Sequence, residues 1–295
     1  MKNSIIFTLL IFFALTSLSQ TSQNGIVYIR PLPENINFAG EKVPIEYQYV
    51  CEALDREILT TSCMHTSTTF SLRNSLRYFS IIEPILKEEG VPEDFKYLCV
   101  AESGLNPEVV SSAGAAGLWQ FISSAARTYK VETGSNVDLR YNIEISTRAA
   151  CSYLKKSYEI FGSWTLAAAS YNIGKTGLSK RLAIQKVKNY WDLFLPSETM
   201  RYVSRILSFK IIMQNPHKYG FMLNDKDYFP PFENYEIVKI NQRHIEWSDF
   251  AARHKTNYRI LRILNPWIRS YSYENRTAKT YEVKVPNEKF KILGY

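Results

Sequence analysis

One acidic residue, Glu102, stands at the end of an apolar helical stretch, where its carboxyl group could act as an acid. A carboxylate at the C-terminus of a helix faces the negative end of the helix dipole, which disfavours its ionisation. Apolar residues that follow, Leu105, Leu118 and Trp119, would raise its pKa further by removing it from water. Such an acid stays protonated near neutral pH and can protonate a glycosidic oxygen while that bond breaks.

The other acidic residues offer no second carboxylate in an equally strong setting. Asp138 in VDLRYN precedes a predicted helix, and Glu198 in SETMRY fits the N-terminal region of another, so both are interpreted as structural. Ordinary glycosidases use two carboxylates. On its position alone, Glu102 is better explained as a solvated residue at a helix end, and the surrounding motifs must decide.

Four short motifs follow one another in order from residue 102 to residue 203. They are ESGLNP, SSAGAAGLWQF, AAASYNIG and ETMRYV. Together they resemble the family-1 lytic transglycosylases, which have a lysozyme-like all-α fold and are related to goose-type lysozyme. Trp119 and a linked C-terminal unit make the membrane-bound lytic murein transglycosylase D branch the most similar part of that family.

The resemblance implies a role for six residues at matching motif positions. Glu102 corresponds to the catalytic acid and base, and the substrate-binding positions correspond to Ser103, Gln120, Tyr171, Asn172 and Tyr202. Ser103 is expected to be the partner of the acid, Gln120 to line the glycan cleft, and Tyr202 to close the site. The resemblance implies no metal and no cofactor.

The reaction implied by the resemblance is cleavage of the MurNAc-GlcNAc β-1,4 bond of peptidoglycan strands. One acid suffices if the C6 hydroxyl of the substrate is the nucleophile, because Glu102 can protonate the leaving oxygen and then take the hydroxyl proton. The product would carry a 1,6-anhydromuramic end. The alternatives are a muramidase that hydrolyses the same bond and a non-catalytic cell-wall-binding protein. The intact motif residues argue against the second alternative.

The chain divides by composition into five predicted segments. They are a signal peptide at 1–20, an N-terminal extension at 21–69, an all-α catalytic domain at 70–218, a linker at 219–232 and a small βααβ domain at 233–290. Helices are predicted at 47–59, from Phe70 with a bend or break at Pro84, and at 95–103, 117–129, 142–161, 164–171, 178–188 and 198–214. The expected fold class is therefore mainly α.

The first 20 residues predict export from the cytoplasm. Lys2 precedes an apolar run at 5–15, and small residues at 17–20 offer a cleavage site. The apolar run is short for a membrane span, so cleavage is favoured over an uncleaved anchor. No cysteine closely follows the run, which argues against a lipoprotein, and the periplasm is the expected location.

The C-terminal unit resembles a LysM domain, a small module that binds N-acetylglucosamine polymers. The likeness depends on the strand patterns YEIVKI and YEVKVP and the helical stretch between them. The sequence NQRHIEW replaces the Gly-Asp-Thr-Leu expected after the first strand, which weakens the sugar-binding loop. A LysM-like fold is expected, and wall binding through it is one further hypothesis.

Charge and cysteine content exclude other classes of function. There are 36 basic and 28 acidic residues, but no basic run is dense enough to indicate nucleic-acid binding. The cysteines, at 51, 63, 99 and 151, form no CxxC motif and predict no metal site. Cys99 and Cys151 lie in apolar helical patterns and are expected to be buried thiols, whereas a Cys51–Cys63 disulfide is left open.

Overall fold

The computed structural model describes residues 32–290. The predicted signal peptide at 1–20 lies outside the described residues. Within residues 32–290, no helix combines the length and the hydropathy needed to cross a bilayer.

Helices dominate the part of the structure that precedes residue 220, as the sequence predicted. After a short hairpin of β1 (Asn37–Phe38) and β2 (Glu41–Lys42), they are α1 (Gln48–Cys63), α2 (His65–Glu88), α3 (Phe95–Ser103), α4 (Ser123–Thr128), α5 (Ile143–Phe161), α6 (Trp164–Ile173), α7 (Lys175–Gln185) and α8 (Ser197–Gln214). Short 3₁₀ turns cover Leu139–Tyr141, Pro216–Tyr219 and Asp225–Asp227.

Local capping residues explain several helix ends. The backbone of Gly104 is left-handed with φ 59°, and it ends α3 directly after Ser103. Gly162 ends α5 in the same way. At the other ends, Asn142 and Ser163 accept backbone N–H groups through their side chains and so begin α5 and α6. These boundaries confirm the sequence predictions closely.

Helix α8 is the central helix of the region that precedes residue 220, and it packs against α1, α3 and α6. Its inward face is buried along its length and includes Tyr202, Val203, Ile206 and Leu207. Burial of such side chains supplies roughly 1.5–3 kcal/mol each relative to exposure. The packing sets the last turn of α3 beside the middle of α8.

Two expectations for the helices were wrong: a break at Pro84, which was one of the two alternatives there, and a helix across residues 117–122. Pro84 does not break α2, which continues to Glu88, because the buried residues Ile82, Ile85 and Leu86 hold both sides of the proline against the core. Helix α2 also begins at His65 and therefore runs across the expected segment boundary at residue 69.

The second error concerns residues 117–122, which were expected to be helical and are not. Only Ser123–Thr128 forms a helix there. Gly117 has φ 75° and Gln120 has φ 47°, both in the left-handed region, and Ala116 forms isolated bridges with residues on either side. An added Cβ at Gly117 would lie 2.1 Å from the carbonyl oxygen of Arg140, so the position requires glycine.

The C-terminal region has the expected βααβ order. Strand β3 (Tyr235–Ile240) pairs antiparallel with β6 (Tyr281–Pro286), and the helices α9 (Trp247–Arg253) and α10 (Tyr258–Leu264) lie between them in sequence. A second ladder, β4 (His244–Glu246) with β5 (Ser272–Glu274), was not predicted, because three residues are too few for a visible alternation.

The four cysteines are free thiols, and Cys99 and Cys151 are buried as expected. The Cys51–Cys63 disulfide does not form. Both residues belong to α1. They are twelve positions apart, which corresponds to about 18 Å along the helix axis. Disulfide formation needs Cα atoms within about 7 Å of each other, so the helix itself forbids this pairing.

Candidate active site

Glu102 and Tyr202 form the central contact of the site. Glu102 lies in the last turn of α3, and the buried hydroxyl of Tyr202 on α8 donates a short hydrogen bond to Glu102 Oε1. Because α3 and α8 pack against each other, the carboxyl group is held between two rigid helices.

The pKa of Glu102 is raised from 4.5 to about 7, and burial of the carboxyl group is the main cause. The hydrogen bond from Tyr202 and the charge of Arg205 lower the pKa, and the charge of Glu198 raises it. A group with a pKa near 7 exists in both forms at neutral pH, so it can donate a proton in one step and accept one in the next.

Tyr171 stands beside this pair and is fixed by its own hydroxyl. Tyr171 Oη donates to the carbonyl oxygen of Trp119 at 2.8 Å, and its ring meets Phe121 and Tyr153 edge-on at 5.8 and 5.1 Å. Burial and the nearby charge of Glu102 raise the pKa of Tyr171 well above its ordinary value. The tyrosine therefore stays neutral beside the acid.

Asn172 ties the end of α6 to the start of α8. Its amide nitrogen donates to Glu198 Oε1 at 3.2 Å, and its amide oxygen accepts from Thr199 Oγ1 at 2.6 Å. Glu198 is exposed and lies in the first turn of α8, in agreement with its interpretation as a structural residue. Asn172 thus fixes the N-terminal end of α8, and Tyr202 lies one turn further along the same helix.

Gln120 lies on an irregular loop, residues 109–121, which we call the Gln120 loop. Gln120 Nε2 donates to the carbonyl oxygens of Val109 at 3.1 Å and Gly117 at 2.8 Å. Its side chain therefore closes the loop on itself and holds the first and last parts of the loop together.

Ser103 has a local role at the end of α3. Its hydroxyl donates to the carbonyl oxygen of Cys99 at 3.1 Å and accepts the backbone N–H of Leu105 at 3.2 Å. These bonds stabilise the turn that follows Glu102. The hydroxyl is occupied by the backbone of its own turn and forms no hydrogen bond to the Glu102 carboxyl group.

Sequence reasoning missed Arg140, a buried residue whose guanidinium group binds backbone carbonyl groups of the Gln120 loop. Arg140 Nη1 donates to the carbonyl oxygens of Gly114 at 2.7 Å and Phe121 at 3.0 Å. Asp138 holds the same guanidinium group at 2.6 Å through Nη2. The Asp-x-Arg spacing in VDLRY was the available signal, although it reveals neither carbonyl partner.

Glu57 was also missed, because it lies in the segment interpreted as an extension. The side chain is buried and binds Arg201 Nε at 2.5 Å and Arg205 Nε at 3.6 Å. These two arginines flank Tyr202 on α8. Helix α1 therefore supports the helix that carries part of the site.

The described residues contain no group of three or more histidine, cysteine, aspartate or glutamate side chains arranged to hold a metal ion. The site contains one buried carboxyl group, Glu102, which accepts a hydrogen bond from Tyr202, and one exposed carboxyl group, Glu198, which accepts a hydrogen bond from Asn172.

Comparison with known proteins finds similar sequences for two regions of the chain. Residues 79–194 match the family model described as Transglycosylase SLT domain. Residues 236–289 match the model described as Soluble lytic transglycosylase C-terminal LysM-like domain. Membrane-bound lytic murein transglycosylase D of Escherichia coli (strain K12) is 33% identical over 147 residues, covering 48% of this chain and 32% of that protein. The chain therefore matches about a third of the length of that relative.

Two solved structures are also similar to parts of the chain. An inactive mutant of the lytic transglycosylase Slt from Pseudomonas aeruginosa has 21% identity and a TM-score of 0.38, covering 54% of this chain and 28% of that one. The 70 kDa soluble lytic transglycosylase of Escherichia coli has 18% identity and a TM-score of 0.41, covering 62% and 32%. The chain therefore contains one region, residues 79–194, that is similar to the transglycosylase SLT domain, and a second, residues 236–289, that is similar to the C-terminal LysM-like domain of soluble lytic transglycosylases.

Proposed function

We propose that this protein is a peptidoglycan lytic transglycosylase that cleaves the MurNAc-GlcNAc β-1,4 bond with Glu102 as its only acid and base. The observation that carries the proposal is the pKa of Glu102, about 7, in a carboxyl group fixed by Tyr202. The SLT domain match and the murein transglycosylase relative support the same reaction.

In the first step, protonated Glu102 gives its proton to the leaving oxygen as the bond from C1 to that oxygen breaks. Positive charge develops at C1 in an oxocarbenium-like transition state. In the second step, the Glu102 carboxylate takes the proton of the C6 hydroxyl, and O6 bonds to C1. Glu102 ends protonated as it began, no water is consumed, and the product has a 1,6-anhydromuramic end.

Five further residues have supporting roles in this proposal. Tyr202 orients the carboxyl group, and Tyr171 and Asn172 hold the helix ends that flank it. Gln120 fixes the loop that lines the path of the glycan strand. Ser103 contributes through the turn after α3.

Mass analysis of the products tests the reaction. The mature protein is incubated with purified peptidoglycan, and the released muropeptides are weighed. Anhydro ends, one water lighter than reducing ends, are the expected result. Products that carry the extra water would make the protein a muramidase, and the absence of soluble products would favour a non-catalytic wall-binding protein.

The same proposal includes export to the periplasm after removal of residues 1–20. Lys2 and the apolar run at 5–15 support it, and the relative from Escherichia coli is described as a membrane-bound murein enzyme. Cell fractionation with N-terminal sequencing tests this point. Recovery of a cytoplasmic protein that still begins at Met1 would contradict it.

A further inference from the structure

The segment between α10 and β6, residues 265–280, includes β5 and packs against the SLT domain, and we call it the docking segment. Two backbone hydrogen bonds, of 3.0 and 2.9 Å, run in opposite directions between residues 136–138 and residues 267–269. Between them, Val137 and Ile268 form an antiparallel bridge, and both side chains are buried. The docking segment is therefore joined to the SLT domain by a short stretch of paired backbone.

Charged and aromatic side chains extend this contact on both sides. Arg269 Nη1 binds Glu108 Oε2 at 2.7 Å, and the Arg269 guanidinium group lies 4.0 Å from the centre of the Tyr141 ring. At the other end, the hydroxyl of Tyr281, the first residue after the docking segment, donates to the Glu132 carboxylate at 3.0 Å. A planar guanidinium group that both pairs and stacks is well oriented, so the contact is specific.

Two of these contacts, the Arg269–Glu108 ion pair and the paired backbone stretch, fall beside residues that shape the Gln120 loop. Glu108 directly precedes Val109, whose carbonyl oxygen accepts the amide of Gln120. The paired backbone stretch ends at Asp138, which holds Arg140, and Arg140 binds two carbonyl groups of the same loop. The docking segment thus contacts the residue that precedes the loop, Glu108, and the residue that holds Arg140 against the loop carbonyl groups, Asp138.

We propose that the docking segment positions the Gln120 loop for glycan cleavage, with Arg269 as the main positioning residue. This inference rests on the proposed function. In the part of the chain that the structure describes, the docking segment forms no hydrogen bond with α3 or α8, which carry Glu102 and Tyr202. Release of the segment therefore lowers the rate of cleavage without changing the acid itself.

Reversal of the charges of Arg269 and Glu108 tests whether Arg269 positions the Gln120 loop or only stabilises the fold. In the full mature chain, Arg269→Glu and Glu108→Arg should each lower kcat/KM on soluble glycan strands by roughly 10- to 100-fold, since small displacements of binding groups have effects of this size. The double variant restores an opposite-charge pair and should recover most of the rate. The pH of half-maximal activity should not move. Arg259→Glu, an exposed arginine on α10, is the matched control and should leave the rate unchanged.

An engineered crosslink gives an independent test. The residues that flank Val137 and Ile268 exchange hydrogen bonds, so these two residues form the close type of antiparallel pair, with Cα atoms about 4.5 Å apart. This separation suits a disulfide. Val137→Cys with Ile268→Cys, combined with Arg269→Glu in a Cys63→Ser background, should regain activity when oxidised and lose it again when reduced.

Hydrogen exchange provides a readout that needs no activity. The amides of residues 109–121 should exchange faster in Arg269→Glu than in the wild type, and the oxidised crosslink should slow them again. Unchanged exchange at 109–121 in Arg269→Glu, or an unchanged cleavage rate, would overturn the positioning role. If the wild type cleaves no glycan, the proposed function fails, and the exchange result alone decides whether the segment positions the loop.

Discussion

At the scale of single residues, the site is one carboxyl group whose proton affinity is set by opposing neighbours. Burial raises the pKa of Glu102, and the hydrogen bond from Tyr202 lowers it. The sequence predicted the direction of this shift from the helix end and the apolar residues nearby. It could not predict the hydrogen bond, because Tyr202 is 100 residues away along the chain.

Replacement of Tyr202 by Phe removes the donor to Glu102. Because that hydrogen bond favours the carboxylate, its loss should raise the pKa of Glu102 above about 7. Because protonated Glu102 begins the reaction, the alkaline limb of the pH profile of kcat/KM should shift to higher pH, while loss of the hydrogen bond that orients the carboxyl group should lower the maximal rate. Tyr190→Phe is the control, since the Tyr190 hydroxyl binds backbone carbonyl groups of α8 and not the acid. A profile that stays in place in Tyr202→Phe would contradict the pairing.

Glu102 should also make the stability of the protein depend on pH. Its folded pKa of about 7 exceeds the ordinary 4.5, so the folded state binds the proton more tightly than the unfolded state. The free energy of unfolding therefore falls as the pH rises from 4.5 to 7. Glu102→Gln removes this penalty and should be more stable than the wild type at pH 8, by at most about 3 kcal/mol. Near pH 4 the two should be equal.

Thermal unfolding at the two pH values measures this difference, with Glu159→Gln on the exposed face of α5 as the control. The control should unfold like the wild type at both pH values. A Glu102→Gln variant that is no more stable than the wild type at pH 8 would show that burial of the ionised Glu102 carboxylate does not destabilise the folded state.

At the scale of elements, the Gln120 loop shows what helix patterns cannot reveal. The small and apolar residues in GLWQF suit a helix by type, but Gly117 and Gln120 adopt left-handed backbone angles. The reason is a tertiary contact, because the backbone of the loop lies directly against the carbonyl group of Arg140. Helix ends at Gly104 and Asn142 were predictable, because their capping is local.

Two glycines of this loop provide a matched pair of variants. Both have φ 75°, but an added Cβ at Gly114 meets nothing within 4 Å, whereas one at Gly117 meets Arg140 O at 2.1 Å. Gly114→Ala should therefore cost only the left-handed strain, about 1–2 kcal/mol. Gly117→Ala should lower the free energy of unfolding further and should reduce glycan cleavage. Denaturant unfolding measures both, and equal losses of stability would contradict the close approach.

At the scale of the whole molecule, a linker and a compositional change predicted consecutive domains, and in the described residues these regions share one main continuous core, with a smaller second cluster around Leu72 and Phe221. Buried side chains from both regions belong to the same hydrophobic cluster, including Leu98, Ile206, Trp247 and Ile268. The sequence identified the βααβ order correctly. It could not reveal the docking segment, because ion pairs such as Arg269 with Glu108 join residues that are far apart in the chain.

The continuous core should make unfolding cooperative across both regions. We expect calorimetry of the mature protein to show a single transition, because separation of the regions would expose Val137, Ile268 and their neighbours to water. Arg269→Glu should lower the midpoint without splitting the transition. Two resolved transitions in the wild type would show that the docking segment contributes little to folding.

The central claim is that Glu102 alone supplies and removes the proton, and Glu102→Gln tests it most directly. Glutamine keeps the shape and can still accept the Tyr202 hydrogen bond, but it has no proton to transfer. Loss of a general acid and base typically costs about 100- to 10,000-fold, and one group serves both steps here, so the effect should reach the upper end of that range. The measurement is the rate of release of anhydro-ended muropeptides from purified peptidoglycan by the wild type and the variant, with folding checked by circular dichroism. The account predicts a correctly folded variant that releases almost none, and a variant that works near the wild-type rate would contradict it.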